Sequence, residues 1–191
     1  MSETLFTGTG EIRKAATLSD DGVYRYTLGR SWGDGPFVLF LMLNPSTADA
    51  LQDDPTIRRC IGFARSWGYG GLVVWNLYAY RATDPTALDD EADPIGRENE
   101  DHLWAILQGG NLGLIVAAWG ANPNRGTYVN REKAMFWGPL RDRDVYVLGL
   151  TKDGHPRHPL YIRASTQPRL WSPAETDLPA AMTEEKPNGR G

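Results

Sequence analysis

A chain of 191 residues, 41% hydrophobic and 23% charged, is long enough to bury a sizeable core and has the balance of a soluble globular domain. Its net charge of −4 argues against a general nucleic-acid coat, and no apolar run reaches the ~20 residues needed to cross a bilayer. The opening Met-Ser-Glu-Thr-Leu-Phe lacks the basic start and apolar core of a secretion signal, and a lone Cys60 excludes an internal disulfide framework. Together these fit a cytoplasmic protein with no membrane and no disulfide-linked partner.

Residues 1–20 are weakly patterned, whereas Val23 to Ser31 alternates like a half-exposed strand. Gly33-Asp34-Gly35-Pro36 turns the chain into Val38–Leu43, six apolar residues in a row that read as a strand buried on both faces. Asn44-Pro45-Ser46 closes that strand, because proline has no N–H to offer a ladder. Asp54-Pro55 is an N-cap with proline at the first helical position; Ile57, Cys60, Ile61, Ala64 and Trp67 follow at helical spacing, and Gly68 ends the helix. Leu72–Trp75 is a second buried strand, again ending on a polar side chain, Asn76.

Leu77 to Asp93 reads as a long, aromatic-rich connection carrying Tyr78, Tyr80, Arg81 and Thr83. Asp93-Pro94 repeats the cap-then-proline device and predicts a helix to about Gln108, with Ile95, Leu103, Ile106 and Leu107 inward. Leu114–Ala118 is a third strand, leading to Trp119-Gly120; a helix is expected over Val129–Trp137, and a fourth strand over Val145–Leu150. The loop Thr151–Tyr161 carries His155 and His158, and the Pro-, Glu- and Gly-rich stretch after Ser172 reads as a disordered tail. The expected organisation is one α/β domain over 1–171.

Alternating strands and helices imply a mainly parallel sheet of about four strands with helices on both faces. Ligands in such sheets bind at the carboxyl ends of the strands. That edge collects Asn44, Asn76, Trp119-Gly120 and the histidine loop. Asn44 offers an acceptor and a donor for a water or a polar ring edge, and Asn76 can pair with an amide-like base edge. Ser46 and Thr47 can take an anion on side chains and exposed N–H groups. His158, held between Arg157 and Pro159, can donate a proton or hydrogen bond to a leaving group. Among seven tryptophans and eight tyrosines, one or two near the rim would serve as a stacking platform. Asp49, Asp53 and Asp54 can chelate a metal, although helix capping accounts for Asp54. No Ser-His-Asp signature, P-loop, dinucleotide fingerprint or zinc spacing is present, so no cofactor is expected. Nine basic residues against four acidic ones lie between Asn122 and Arg169, which suggests a positive face for an anionic ligand.

The motifs at 43–49 (Leu-Asn-Pro-Ser-Thr-Ala-Asp), 53–60 (Asp-Asp-Pro-Thr-Ile-Arg-Arg-Cys), 76–85 (Asn-Leu-Tyr-Ala-Tyr-Arg-Ala-Thr-Asp-Pro) and 151–161 (Thr-Lys-Asp-Gly-His-Pro-Arg-His-Pro-Leu-Tyr) resemble a bacterial and phage domain family of unknown function. That resemblance spans roughly Val23 to Ile162. More distantly, the order of motifs is similar to the uracil-DNA glycosylase superfamily, its mismatch-specific branch above all. Leu43-Asn44-Pro45 matches a strand ending in Asn-Pro, Asn76 with Arg81-Ala82-Thr83 matches a strand ending in Asn near an Arg-x-Thr, and His158-Pro159 matches the final His-Pro loop. Leu160-Tyr161 stands where that superfamily has a Ser-containing DNA wedge.

The resemblance implies a three-layer α/β/α sandwich with an N-terminal β-hairpin. It implies N-glycosidic cleavage of a nonstandard base, in nucleic acid (single-stranded included) or in a nucleotide. Asn44 and His158 would be catalytic: Asn44 would position water and His158 would hydrogen-bond the departing base. Asn76 would read the base, with Pro45, Ser46, Thr47, Tyr78, Arg81, Thr83, Trp119, Gly120, Arg157 and Tyr161 around the substrate. Two other readings are a non-catalytic nucleotide or nucleic-acid binding module, and a metal-dependent hydrolase or transferase using Asp49, Asp53 and Asp54.

Overall fold

A computed structural model describes residues 11–46, 52–121, 123–126 and 131–171. The elements run β1 (Arg13–Leu18), β2 (Arg25–Ser31), β3 (Phe37–Met42), α1 (Pro55–Ser66), β4 (Gly71–Asn76), α2 (Asn99–Gln108), β5 (Leu112–Ala117), α3 (Arg131–Trp137), β6 (Val145–Val147) and β7 (Arg169–Trp171), with 3-10 turns at Pro85–Leu88 and Pro159–Tyr161. The strands form one mixed sheet in the order β1-β2-β4-β3-β5-β6-β7. The sheet thus has seven strands, not about four. β4, β3, β5 and β6 pair parallel, while β1 and β2 on one side and β7 on the other pair antiparallel. β1 is a hairpin partner of β2 whose residues are half-buried or exposed. Its Arg13 and Lys14 supply the charge that keeps an edge strand from pairing with other chains.

β3 sits at the centre because Val38, Leu39, Phe40 and Leu41 are fully buried, each side chain contributing about 1.5–3 kcal/mol relative to exposure. Its even-numbered residues Val38, Phe40 and Met42 pack with Leu72 and Val74 of β4 against Ile57, Cys60, Ile61 and Ala64 of α1. The odd-numbered Leu39 and Leu41 join Trp75 of β4, Leu103 and Leu107 of α2, and Met135 of α3. α1 begins where the Asp54 side chain accepts the Ile57 N–H at 2.8 Å, and it ends at Gly68, whose φ of 84° suits glycine alone among common residues. Among the described residues no helix is long and apolar enough to cross a membrane.

Two element boundaries differ from expectation by more than two residues. α2 starts at Asn99 instead of Pro94, because the carbonyls of Pro94 and Ile95 accept from Tyr80 and Ala79 at 3.1 Å each, holding that segment extended. β6 stops at Val147 instead of Leu150: Gly149 has φ 147°, and Leu150 pairs with Pro156 across a tight loop. The expected tail beyond Ser172 lies outside the described residues.

Gly70 joins the β2–β3 turn to β4. Its carbonyl accepts from Trp32 and Gly33 at 2.9 and 3.0 Å, and an added Cβ would stand 2.6 Å from Gly35 N and 2.8 Å from Gly35 O. These are backbone atoms of a tight turn and cannot step aside. Gly70→Ala should therefore destabilise the protein by about 2–3 kcal/mol. Urea denaturation checks this, and a variant within experimental error of the parent would show that the turn yields freely.

Candidate functional site

The chain leaves β3 through α1 to β4 on one side, and then reaches β5 on the other side of β3. The strand order reverses there, so the crevice at the carboxyl ends of β3 and β5 is a topological switch point, where open α/β sheets take ligands. Three strand ends are level at this edge. Met42 pairs with Asn76, Leu77 N donates to Met42 O at 2.9 Å, and Ala118 N donates to Leu41 O at 2.8 Å.

Asn44 is half-buried just beyond β3; its amide nitrogen donates to Ala82 O at 2.8 Å and to Pro45 O at 3.3 Å. With the donor so committed, Oδ1 is what remains to accept from a water or a ligand N–H. Pro45 O in turn accepts from Ala82 N at 3.0 Å, so the 79–83 segment is laced to the Asn44 turn. Ser46 reaches the Asp54 carboxylate at 3.5 Å. Asn76, 2% exposed, falls by strand alternation on the face of Leu72 and Val74; Asn99 Nδ2 donates to its backbone carbonyl at 3.0 Å.

On the β5 side, Gly120 has φ 84° and its N–H donates to Pro156 O at 2.9 Å. A Cβ at Gly120 would lie 3.5 Å from His158 Cβ. That places His158 against the end of β5, on the same rim as Asn44 and Asn76. Its Nδ1 accepts from Leu160 N at 3.4 Å, which leaves Nε2 as the nitrogen that carries the proton in a neutral ring. Burial lowers the His158 pKa from its ordinary value, against the opposing pull of the Asp54 carboxylate. Tyr161 is 78% exposed, with its ring centroid 6.4 Å from that of His158, so it is the aromatic free to stack on a ligand here. Arg157 and Thr83 are exposed at the margins.

Other described residues expected here are committed to the core or to structural pairings. Tyr78 is fully buried in the core on the α2 side, with its hydroxyl accepting from Arg125 N at 2.9 Å. Trp119 is also core, its indole donating to Glu132 at 3.2 Å. It continues the odd-numbered alternation of Ile115 and Ala117, a signal present in the sequence. Thr47 and Asp49 lie outside the described residues. Asp53 is paired with Arg30 at 2.7 Å and Lys14 at 3.6 Å, while Asp54 caps α1. Among the described residues no group of three or more His, Cys, Asp or Glu is placed to hold a metal ion. Within the basic segment, Arg131 is 5% exposed and paired with Glu100 at 2.7 Å, and Arg125 faces Asp89 at 3.4 Å; these two charges serve the fold.

Two features of the site carried no local sequence signal. Glu132 at the start of α3 accepts from Trp119 and sits 3.1 Å from His155 Nδ1, clamping the loop that presents His158. Arg25, at the other flank, is almost wholly buried. A cavity of about 640 Å³ opens at the opposite edge of the sheet, beside Leu112 and Gly113. Its charged residues Asp142, Arg143 and Asp144 are exposed at its mouth, and it contains none of the strand-end residues. The convergent, partly buried polar groups are at the carboxyl rim, which makes the rim the candidate site.

The fold and rim define an α/β protein with a mixed seven-stranded sheet and a cluster of polar residues on the rim at its switch point. Residues 25–160 match the family model described as "Protein of unknown function (DUF1643)", and the chain belongs to that family. No curated protein and no solved structure matches it significantly.

Proposed function

We propose that this protein is a nucleobase-recognising N-glycosylase, an α/β/α sandwich related to the uracil-DNA glycosylase superfamily, acting on a nonstandard base in nucleic acid or in a nucleotide. The observation that supports this reading is that Asn44, Asn76, Gly120 and His158 all follow or end strands on the same rim of the sheet, with Gly120 against His158. Asn76 reads the base edge and Tyr161 stacks on the extruded ring. The N-glycosidic bond breaks toward an oxocarbenium-like sugar, and the base departs as an anion. His158 Nε2–H donates to that anion from a neutral imidazole, a donor aimed where charge develops. Asn44 Oδ1 holds the water that adds to the sugar carbon, its proton passing to solvent.

The test is a panel of modified-base oligonucleotides and nucleotides, assayed chromatographically for free base with chelator present. Release that persists in chelator is expected. Release abolished by chelator would favour a metal-dependent hydrolase, and binding without release would favour a binding module. The pH profile adds a sharper check. Because the folded His158 pKa lies below the ordinary 6.5, the working neutral ring is present above 6.5 and survives some way below it. Release should hold as pH falls through 6.5 and drop only at more acid pH; a rate that climbs on acidification would mean that imidazolium is the active form. The same shift makes the folded state less stable as pH falls below 6.5, since the unfolded chain binds that proton more readily.

A further inference from the structure

The register of β1 and β2 breaks at one point: Thr17 pairs with Thr27 but Leu18 pairs with Arg25, leaving Tyr26 as the extra residue of a β-bulge. Tyr26 stacks on His102 of α2 with ring centroids 4.7 Å apart, whereas Leu28 packs in the α1-side core. The bulge thus turns Arg25 to the α1 side, which bulges beside functional sites commonly do. Arg25 is 6% exposed, its Nε is buried with no hydrogen-bond partner, and its guanidinium makes no hydrogen bond or ion pair with any described residue.

Arg81 lies beside it. The two segments are laced together by Arg25 N to Ala79 O at 2.9 Å and Arg81 N to Val23 O at 3.1 Å; Arg81 Nη1 also donates to Gly22 O at 2.8 Å. The next residue, Ala82, is bonded to both Asn44 and Pro45, so the arginine pair flanks the Asn44 turn. Burial and the neighbouring Arg81 charge push the Arg25 pKa down to about 10, with Asp54 opposing; the group stays cationic at neutral pH. Arg30 is already paired with Asp53, and Asp54 is the N-cap of α1. A buried cation without a counter-charge costs several kcal/mol, and a fold that retains one beside a second arginine is prepared for an anion.

We infer that Arg25, with Arg81, forms a phosphate subsite on the β2 flank of the Asn44–Asn76–His158 crevice, so that the ligand of this crevice carries a phosphate group. The substrate-class part of this statement rests on the base-recognising reading above; the anion site does not. A guanidinium fork matches phosphate oxygens two at a time. The phosphate can be the monoester of a free nucleotide or the diester of a strand.

The experiment compares the full chain with Arg25→Met and Arg25→Lys, using inorganic phosphate as probe and chloride at equal ionic strength as control. Phosphate should raise the melting temperature of the parent, with about tenfold weaker binding in Arg25→Met and an intermediate loss in Arg25→Lys. Without phosphate, Arg25→Met should be at least as stable as the parent, because it removes a buried charge that no described residue pairs. Equal phosphate response in parent and both variants, or none in the parent, would overturn the subsite. Should Arg25→Met fail to fold, that too contradicts the uncompensated-charge argument, and Arg25→Lys still reads the binding. Competition by thymidine 5′-monophosphate or by a short oligothymidylate then tells monoester from diester. Phosphate binding with no base released anywhere in the panel would sink the glycosylase reading alone, whereas base release from free nucleosides without phosphate binding would sink the subsite alone.

Discussion

Asn44→Ala should lower base release by about 100-fold, equivalent to roughly 3 kcal/mol of lost transition-state stabilisation, while leaving ligand affinity within a few-fold of the parent. The reason is that a water-positioning contact matters once the sugar carbon becomes electron-poor, and little before. The structure adds a control. Asn44 Nδ2 also holds Ala82 O at 2.8 Å, so the variant should lose about 1 kcal/mol of stability, and rates must be read well below its melting temperature. Asn76→Ala should behave differently, since a base-reading contact exists already in the ground state and affinity should fall with the rate. His158→Ala should follow Asn44→Ala, losing rate and keeping affinity. Single-turnover release beside equilibrium binding separates the two patterns. Equal losses of binding in all three, with turnover at saturation unchanged, would make the crevice a binding pocket without catalysis.

The largest stability effect should come from Asp53→Ala. Arg30 has no exposed side-chain surface, and its Nε donates to Asp53 at 2.7 Å, while Lys14 approaches the other carboxylate oxygen at 3.6 Å. Removing the carboxylate strips the buried Arg30 guanidinium of this ion pair, and breaking a buried pair from one side costs about 3–5 kcal/mol. The double variant Arg30→Leu with Asp53→Leu should recover most of that loss, because it removes the buried charge as well. Denaturant titration of the single and double variants decides it: a single variant within about 0.5 kcal/mol of the parent would place this pair with ordinary surface ion pairs.

These two pairings also mark the limit of what the chain discloses before it folds. β3, β4, β5 and α1 were legible because their signals are local: an unbroken apolar run, apolar residues at helical spacing, Asp54-Pro55 at the start of α1 and Gly68 at its end. The polar residues that stop the strands, Asn44 and Asn76, were legible for the same reason, since a strand buried on both faces tolerates them only at its end. β7 was not, and β1 was expected only as the unplaced partner in an N-terminal hairpin, because half-exposed edge strands carry little apolar pattern and their identity comes from the neighbour they pair with. Nor did aromatic content tell which rings face solvent: Tyr78 and Trp119 are core, whereas Tyr161 stands out beside His158. The bulge at Tyr26, the Glu132–His155 clamp and the buried Arg25, which pairs with no described residue, were decided by tertiary structure alone. Each depends on which segments lie side by side in space, and local periodicity carries no information about which partner a segment meets.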